Sequence, residues 1–404
     1  MFLQSLLNKN PDFVEAAVAL HQARAIPANS YAVDLDAVAA NTAHLMGEAR
    51  ALGLTVYAMT KQLGRAPGAL DAITGAGVHG YVAVDMACAR PIAANGHNLG
   101  HIGHLVQVAA AETGEAMAME PDYWTVFSPN KAAEASAAAA RLGRAQNLLV
   151  RVFADGDEFY TGHEGGVPLE ELDTMINHIA GLPGVRFAGL TTFPALLYDP
   201  HTGGARVTPN MATLARAAES ARHHLGGEDQ EVLQINAPGT TSTAVLAQLA
   251  EAGATQVEPG HGLTGTTPLH ATGDLPEQPA VCYVSEVAHI HQGTPFCFGG
   301  GLYVDPVFGD YQTTAVVAHD PSEALTKPVP VDMPDPAAID YYAKLRPEPD
   351  RTVGEGDTVV FGFRIQAFVT RAFVVGVTGV RSGNPSVAGV WDVLGNPAAW
   401  KGNR

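Results

Sequence analysis

The sequence predicts an α/β fold, a (β/α)8 TIM-like barrel with a C-terminal antiparallel β-domain, and two observations carry that prediction. Through the first two thirds of the chain, short apolar runs alternate with alanine-rich segments of helical composition. After residue 265 the alanine runs stop, and β-branched and aromatic runs separated by Gly, Pro and Asp replace them. The expected organisation is an N-terminal helix and strand over 1–36, the strand joining the β-domain, then a barrel over 37–265 and the β-domain over 266–404.

An early extended run, YAVDLD (31–36), precedes the first barrel helix. Eight candidate strands follow: LTVYAMTK (54–61), GYVAVD (80–85), GHLVQV (103–108), YWTVFS (123–128), LLVRVFAD (148–155), FAGLTTFP (187–194), VLQINAP (232–238) and TQVEPG (255–260). Helical segments such as NKAAEASAAAARLG (130–143) and TLARAAESARHHL (213–225) lie between most of them. Eight strand-then-helix units suit a closed barrel, whose active site lies at the C-terminal strand ends. An open doubly wound sheet is the alternative, for which TKQLGRAPG is a poor dinucleotide turn. In the last third AVCYVSEVAHI, PFCFGGGLYV, TTAVVAH, DTVVFGFRIQAFVT and AFVVGVTGV read as strands. The Pro- and Asp-rich segment 318–342 reads as a long surface excursion.

Composition narrows the function. Hydrophobic residues make up 47% of the 404, enough for a large core, and 41 acids against 23 bases give a net charge of −18. That balance argues against nucleic acid or an anionic membrane as partner. The N-terminal stretch has no uninterrupted apolar run, so a cytoplasmic protein without a membrane anchor is expected. Cys88, Cys282 and Cys297 show no CxxC spacing and are expected to be reduced thiols.

The predicted strand ends collect chemistry. The first ends in Lys61, and the fifth carries Arg151 into a glycine-containing loop (154–166). The seventh runs into NAPGTTST, where Asn236, Thr240, Thr241 and Ser242 offer an anion site at a helix start. The eighth gives Glu258 followed by Gly260, His261 and Gly262. A lysine able to form an imine, a phosphate cradle and a carboxylate on one rim are what pyridoxal phosphate requires. The plain alternative for Lys61 is a cation where a strand meets water.

YAVDLDAVAANTAHL followed by VYAMTK resembles the opening of the fold-type III pyridoxal-phosphate enzymes, the alanine racemase and ornithine/diaminopimelate decarboxylase group. The likeness is closest to the YhfX-type branch and runs through MTKQLGR, GHLVQ, VEPGHGLTGT, CFGGGLY and DVLGN. The resemblance implies a head-to-tail homodimer with its sites at the subunit interface and pyridoxal 5'-phosphate held by Lys61 as a Schiff base. Glu258-Pro259-Gly260 is similar to the decarboxylases' Glu-Pro-Gly, whose carboxylate faces the pyridine nitrogen where alanine racemases place an arginine. A carboxylate there keeps the nitrogen protonated and strengthens the electron sink.

Two departures stand out. Thr191-Thr192-Phe193 replaces a Thr-His-Phe triplet, so Thr192 stands where a histidine packs on the cofactor, and His104 is the candidate substitute. Phe298, before Gly299, stands near the place of a partner-supplied catalytic tyrosine, which leaves Cys297 and Tyr303 as candidate second bases or, equally, as packed side chains. His97, His101 and His104 have tempting spacings, but no metal is expected there, and His289 and His291 lack the right neighbour for a metal-assisted lyase. Arg364 is expected to be an exposed strand arginine, with contact to a carboxylate as the alternative. The expected activity is amino-acid racemisation through Lys61. A decarboxylase or D-amino-acid aldolase or lyase is the alternative, followed by a non-catalytic cofactor carrier.

Overall fold

The structure, a computed structural model, describes residues 1–226, 233–303, 308–309, 311–335 and 337–400. The predicted segments that include 232, 304 and 336, and the last four residues, extend outside them. The chain forms two compact units, Ala43–Thr60 with Gly77–Gly260, and Met1–Thr42 with Lys61–Ala76 and His261–Arg404.

In the first of these, eight parallel strands close a barrel: Thr55–Met59, Gly80–Val82, Leu99–Ile102, Tyr123–Val126, Gln146–Phe153, Val185–Thr191, Gln234–Asn236 and Gln256–Val257. The eighth pairs back onto the first through Gln256 opposite Thr55, which closes the ring and removes the open-sheet alternative. The strands are apolar because both faces are covered. The intervening helices are alanine-rich because small side chains let them seat closely. Pro129–Leu142 buries Ala132, Ala135, Ala138 and Ala139, starts at Ser128 and stops at left-handed Gly143.

The third strand differs from its predicted place at 103–108. It is Leu99–Ile102, ending at Gly103, whose φ of +77° and whose approach to Thr125 O (2.6 Å from a would-be Cβ) only glycine permits. GHLVQV is therefore a strand-end loop, pinned where Gln107 donates to the Gly103 and Thr125 carbonyls at 2.6 and 3.1 Å.

The second unit is built on a nine-stranded, mainly antiparallel sheet. Ser30–Asp34 sits within it, antiparallel to Val281–His291 and parallel to Phe373–Thr378. Pro11 splits the predicted N-terminal helix into Phe2–Lys9 and Pro11–Gln22. Phe13, Val14 and Val18 pack with Cys282, Val316 and Val360, each fully buried large side chain contributing roughly 1.5–3 kcal/mol. The predicted strand over DTVVFGFRIQAFVT ends at Phe361, because Gly362 lies against the Leu3 backbone (2.6 Å from a would-be Cβ) and Ala367–Val369 is a 3-10 turn. The segment 318–342 is not only an excursion: Val329–Asp332 pairs with Thr314–Ala318 and with Tyr342–Leu345. Among the described residues no helix is long and apolar enough to cross a membrane.

Candidate functional site

At the C-terminal strand ends of the barrel, Glu258 follows the eighth strand and Asn236 ends the seventh. Glu258 is buried, and its Oε1 accepts a 2.7 Å hydrogen bond from Asn236 Nδ2, which also donates to Thr191 Oγ1 at 3.1 Å. His101 Nδ1 lies 3.4 Å from Oε1 and His104 Nε2 3.5 Å from Oε2. His101 is fully buried between the rings of Tyr57 (4.5 Å) and Tyr123 (5.2 Å). Burial, opposed by the Gln256 side chain, pushes its pKa down to about 3, so the imidazole is neutral at pH 7. Asn236 thus gives the carboxylate a hydrogen bond, and the neutral His101 ring lies beside it without supplying a full countercharge, an environment suited to facing a protonated ring nitrogen. From the sequence His101 is expected to be structural or to contact a cofactor, with no partner named. Its place against Glu258 depends on a strand-to-strand pairing that no local motif records.

The segment expected to form an anion cradle has an equally defined geometry. Gly239 comes so close to Leu196 that a Cβ would meet its backbone at 2.7 Å. Thr240 N reaches Leu196 O, and Thr241 folds back on Gly239 O. Ser242 caps the helix Thr243–Glu251, yet its buried hydroxyl makes no capping bond and has no hydrogen-bond partner. A buried, uncommitted hydroxyl at a helix start fits a phosphate.

Arg151 is also placed, though as a pin. Its Nη2 donates to His163 O (2.7 Å) and Phe193 O (3.2 Å), and its guanidinium lies over the rings of Phe127 and Phe159. Desolvation lowers its pKa to about 10. It anchors the 154–166 loop and the turn at Phe193, and Thr192, the residue before Phe193, is itself buried. His104 meets Phe193 edge-on at 5.8 Å. Gly260 is half-buried, directly after the Pro259 carbonyl that bonds Met59 N at 2.9 Å.

In the other unit Lys61 opens a 3-10 turn, Lys61–Leu63, half-buried, with Nζ 5.2 Å from the Phe368 ring centroid. His261 Nε2 lies 2.8 Å from Ile365 O. Burial first, then the nearby charges of Arg364 and Lys61, hold His261 well below the usual histidine range. Gly262 is buried next to it. Arg364 is not an exposed strand residue: it is half-buried on the irregular stretch after Phe361, close enough for its charge to act on His261. Arg65, not singled out in the sequence, is almost wholly buried at 2% exposure.

The two β-domain candidates part ways. Cys297 is fully buried in Thr294–Phe298 and its thiol is pushed up to about 12 by burial, the properties of a packed side chain and not of a proton carrier. Tyr303 is 38% exposed. The glycines after Phe298 are there for packing: side chains at Gly300 and Gly301 would strike Asn29 and Tyr283. His289 stacks on Phe296 at 4.7 Å, and His97 meets Tyr81 edge-on. Among the described residues no group of three or more His, Cys, Asp or Glu forms a metal-binding set.

Comparison with known proteins follows the same division. Residues 33–268 match the alanine racemase N-terminal domain and 282–387 the YhfX-like C-terminal domain. The chain is 38% identical to the uncharacterized protein YhfX of Escherichia coli K12 over 98% of this chain and 99% of that one. Its fold is similar to D-threonine aldolase from Filomicrobium marinum (TM-score 0.65, 17% identity, 91% and 95% of the two chains). It is also similar to alanine racemase from Corynebacterium glutamicum (0.59, 18%, 83% and 90%) and D-threo-3-hydroxyaspartate dehydratase from Delftia sp. HT23 (0.59, 14%, 92% and 98%).

Proposed function

The chain belongs to the alanine racemase-like family, with a YhfX-like C-terminal domain, and on that premise we propose that it is a pyridoxal-phosphate enzyme acting at Cα of an amino acid, with racemisation as its reaction. The observation that carries the reading is Glu258, a buried carboxylate at a barrel strand end, hydrogen-bonded by Asn236 at 2.7 Å and flanked by the neutral ring of His101. The uncommitted Ser242 hydroxyl at the start of a helix supports it independently.

In this reading Thr240, Thr241 and Ser242 hold the phosphate and Glu258 keeps the ring nitrogen protonated. When bound, the cofactor supplies an electron sink for negative charge developing at Cα. Lys61 supplies the amine that holds the aldehyde and then exchanges the Cα proton on one face. Its Nζ lies 5.2 Å from the centroid of the Phe368 ring. With Cys297 packed away, Tyr303 is the proposed carrier on the opposite face, supplied by a second copy in a cytoplasmic homodimer.

Glu258 favours a second reading, because a protonated ring nitrogen serves decarboxylation and aldol or elimination chemistry as well as racemisation. The test is incubation of the reconstituted protein with single amino-acid enantiomers in heavy water. Racemisation places deuterium at Cα with loss of optical purity. Release of carbon dioxide, an aldehyde or ammonia without such exchange replaces it with the second reading, and no turnover of any kind overturns both.

A further inference from the structure

Arg65 combines two features that protein stability disfavours. First, its side chain is among the largest fully buried ones, and a guanidinium remains charged wherever it sits. Its Nε has no hydrogen-bond partner, and among the described residues no carboxylate pairs with it, in a chain with 41 acids to 23 bases. Arg151, the other large buried cation, has two carbonyl acceptors, two aromatic faces and the nearby charge of Glu164. Arg65 has no comparable set among the described residues.

Second, Arg65 takes a φ of +52°, in the left-handed region that a residue with a Cβ adopts only when its surroundings impose it. Those surroundings are rigid. Gly64, itself at +60°, lies so close to Val374 and Val393 that a Cβ would be 2.8 and 3.2 Å from them. Gly64 N also donates to Lys61 O at 3.1 Å, so Arg65 leaves the same turn that opens with the reactive lysine. Burial and a left-handed backbone at one residue, whose Nε is unpartnered and which has no carboxylate partner among the described residues, mark a group held ready for an external anion.

We propose that Arg65 is an oxyanion-binding residue that takes the carboxylate of the amino-acid substrate. The identification of the ligand as an amino acid rests on the function proposed above. The planar guanidinium fork matches a carboxylate in two parallel hydrogen bonds, which a point charge such as lysine does not reproduce. Phosphate already has its candidate place at Thr240–Ser242, which leaves the substrate's own carboxylate for this cation.

The experiment is thermal melting of the full-length protein, Arg65→Met and Arg65→Gln, without ligand and with acetate, malonate or inorganic phosphate at constant ionic strength. Acetate or malonate should raise the wild-type melting temperature saturably, by roughly 2–4 °C, and the rise should vanish in both variants. The ligand-free variants should melt no lower than wild type, because an uncompensated buried charge has been removed. Variants that melt lower while keeping the carboxylate response would make Arg65 a structural cation and overturn the proposal. A response to phosphate alone that depends on Arg65 would overturn the carboxylate assignment. If neither variant folds, the absence of a saturable carboxylate effect on the wild type overturns it. Visible absorbance after adding pyridoxal phosphate separates the two claims: carboxylate binding through Arg65 in a protein that takes up no cofactor sustains the oxyanion site while sinking the cofactor reading.

Discussion

Replacing Asn236 by alanine probes the group on which the functional reading rests. The substitution removes a 2.7 Å hydrogen bond to the buried Glu258 carboxylate and a 3.1 Å bond to Thr191. A hydrogen bond to a charged group contributes about 1.5–3 kcal/mol and a neutral one about 1 kcal/mol. The expected destabilisation is thus about 2.5–4 kcal/mol, of which only the first part involves Glu258. A double-mutant cycle of Asn236→Ala and Glu258→Gln therefore has a defined outcome, a coupling energy of about 1.5–3 kcal/mol. Urea unfolding followed by fluorescence of Trp124, buried in the fourth barrel strand, measures it on the cofactor-free protein. Coupling below about 0.5 kcal/mol, the level of independent sites, would refute the claim that the pair acts as a unit.

Ser242→Ala should leave cofactor-free stability nearly unchanged, because its hydroxyl has no protein partner. The same change should weaken pyridoxal-phosphate binding roughly tenfold, about 1.4 kcal/mol, in a fluorescence titration. His101 has a folded pKa near 3, below its unfolded value of about 6.5, so its contribution to stability is full above pH 6.5 and is lost as pH falls towards 3. The stability of His101→Phe between pH 6.5 and 4 should consequently fall less steeply than wild type, by about 1.4 kcal/mol per pH unit; equal slopes would mean a protonated ring in the folded state. Gly189→Ala should cost roughly 1–3 kcal/mol or prevent folding, since its Cβ would meet Gln234 O at 2.1 Å between two barrel strands. Gly47→Ala, with open space around it on a helix, should stabilise by about 0.5–1 kcal/mol, and melting temperatures compare the two.

Most of the barrel was legible because its strands are covered on both faces and so appear as continuous apolar runs. The third strand misled because LGHI is short and has only Leu99 and Ile102 as apolar side chains, whereas GHLVQV just beyond it offers Leu105, Val106 and Val108; only the contact of Gly103 with Thr125 shows where pairing stops. Val329–Asp332 was hidden by Pro330 within it and Pro328 before it, since a sequence pattern counts proline against a strand even where a neighbouring strand pairs with it. In the candidate site, Lys61, Asn236, Ser242 and Glu258 could be named from the ends of runs. The role of His101 could not, since its contact with Glu258 spans 157 residues of chain and arises only when the barrel closes. Arg65 was illegible for another reason: an arginine after a glycine looks solvated, and nothing local tells that β-domain side chains pack onto the turn.

The central claim is that the amine of Lys61 holds the cofactor, and one measurement addresses it directly. The protein is incubated with pyridoxal phosphate, reduced with sodium borohydride, digested and analysed by mass spectrometry. The account predicts a phosphopyridoxyl group on the peptide containing Lys61 and loss of the visible imine absorbance in Lys61→Ala. A label on a different lysine, or none at all with the wild-type protein, would contradict it.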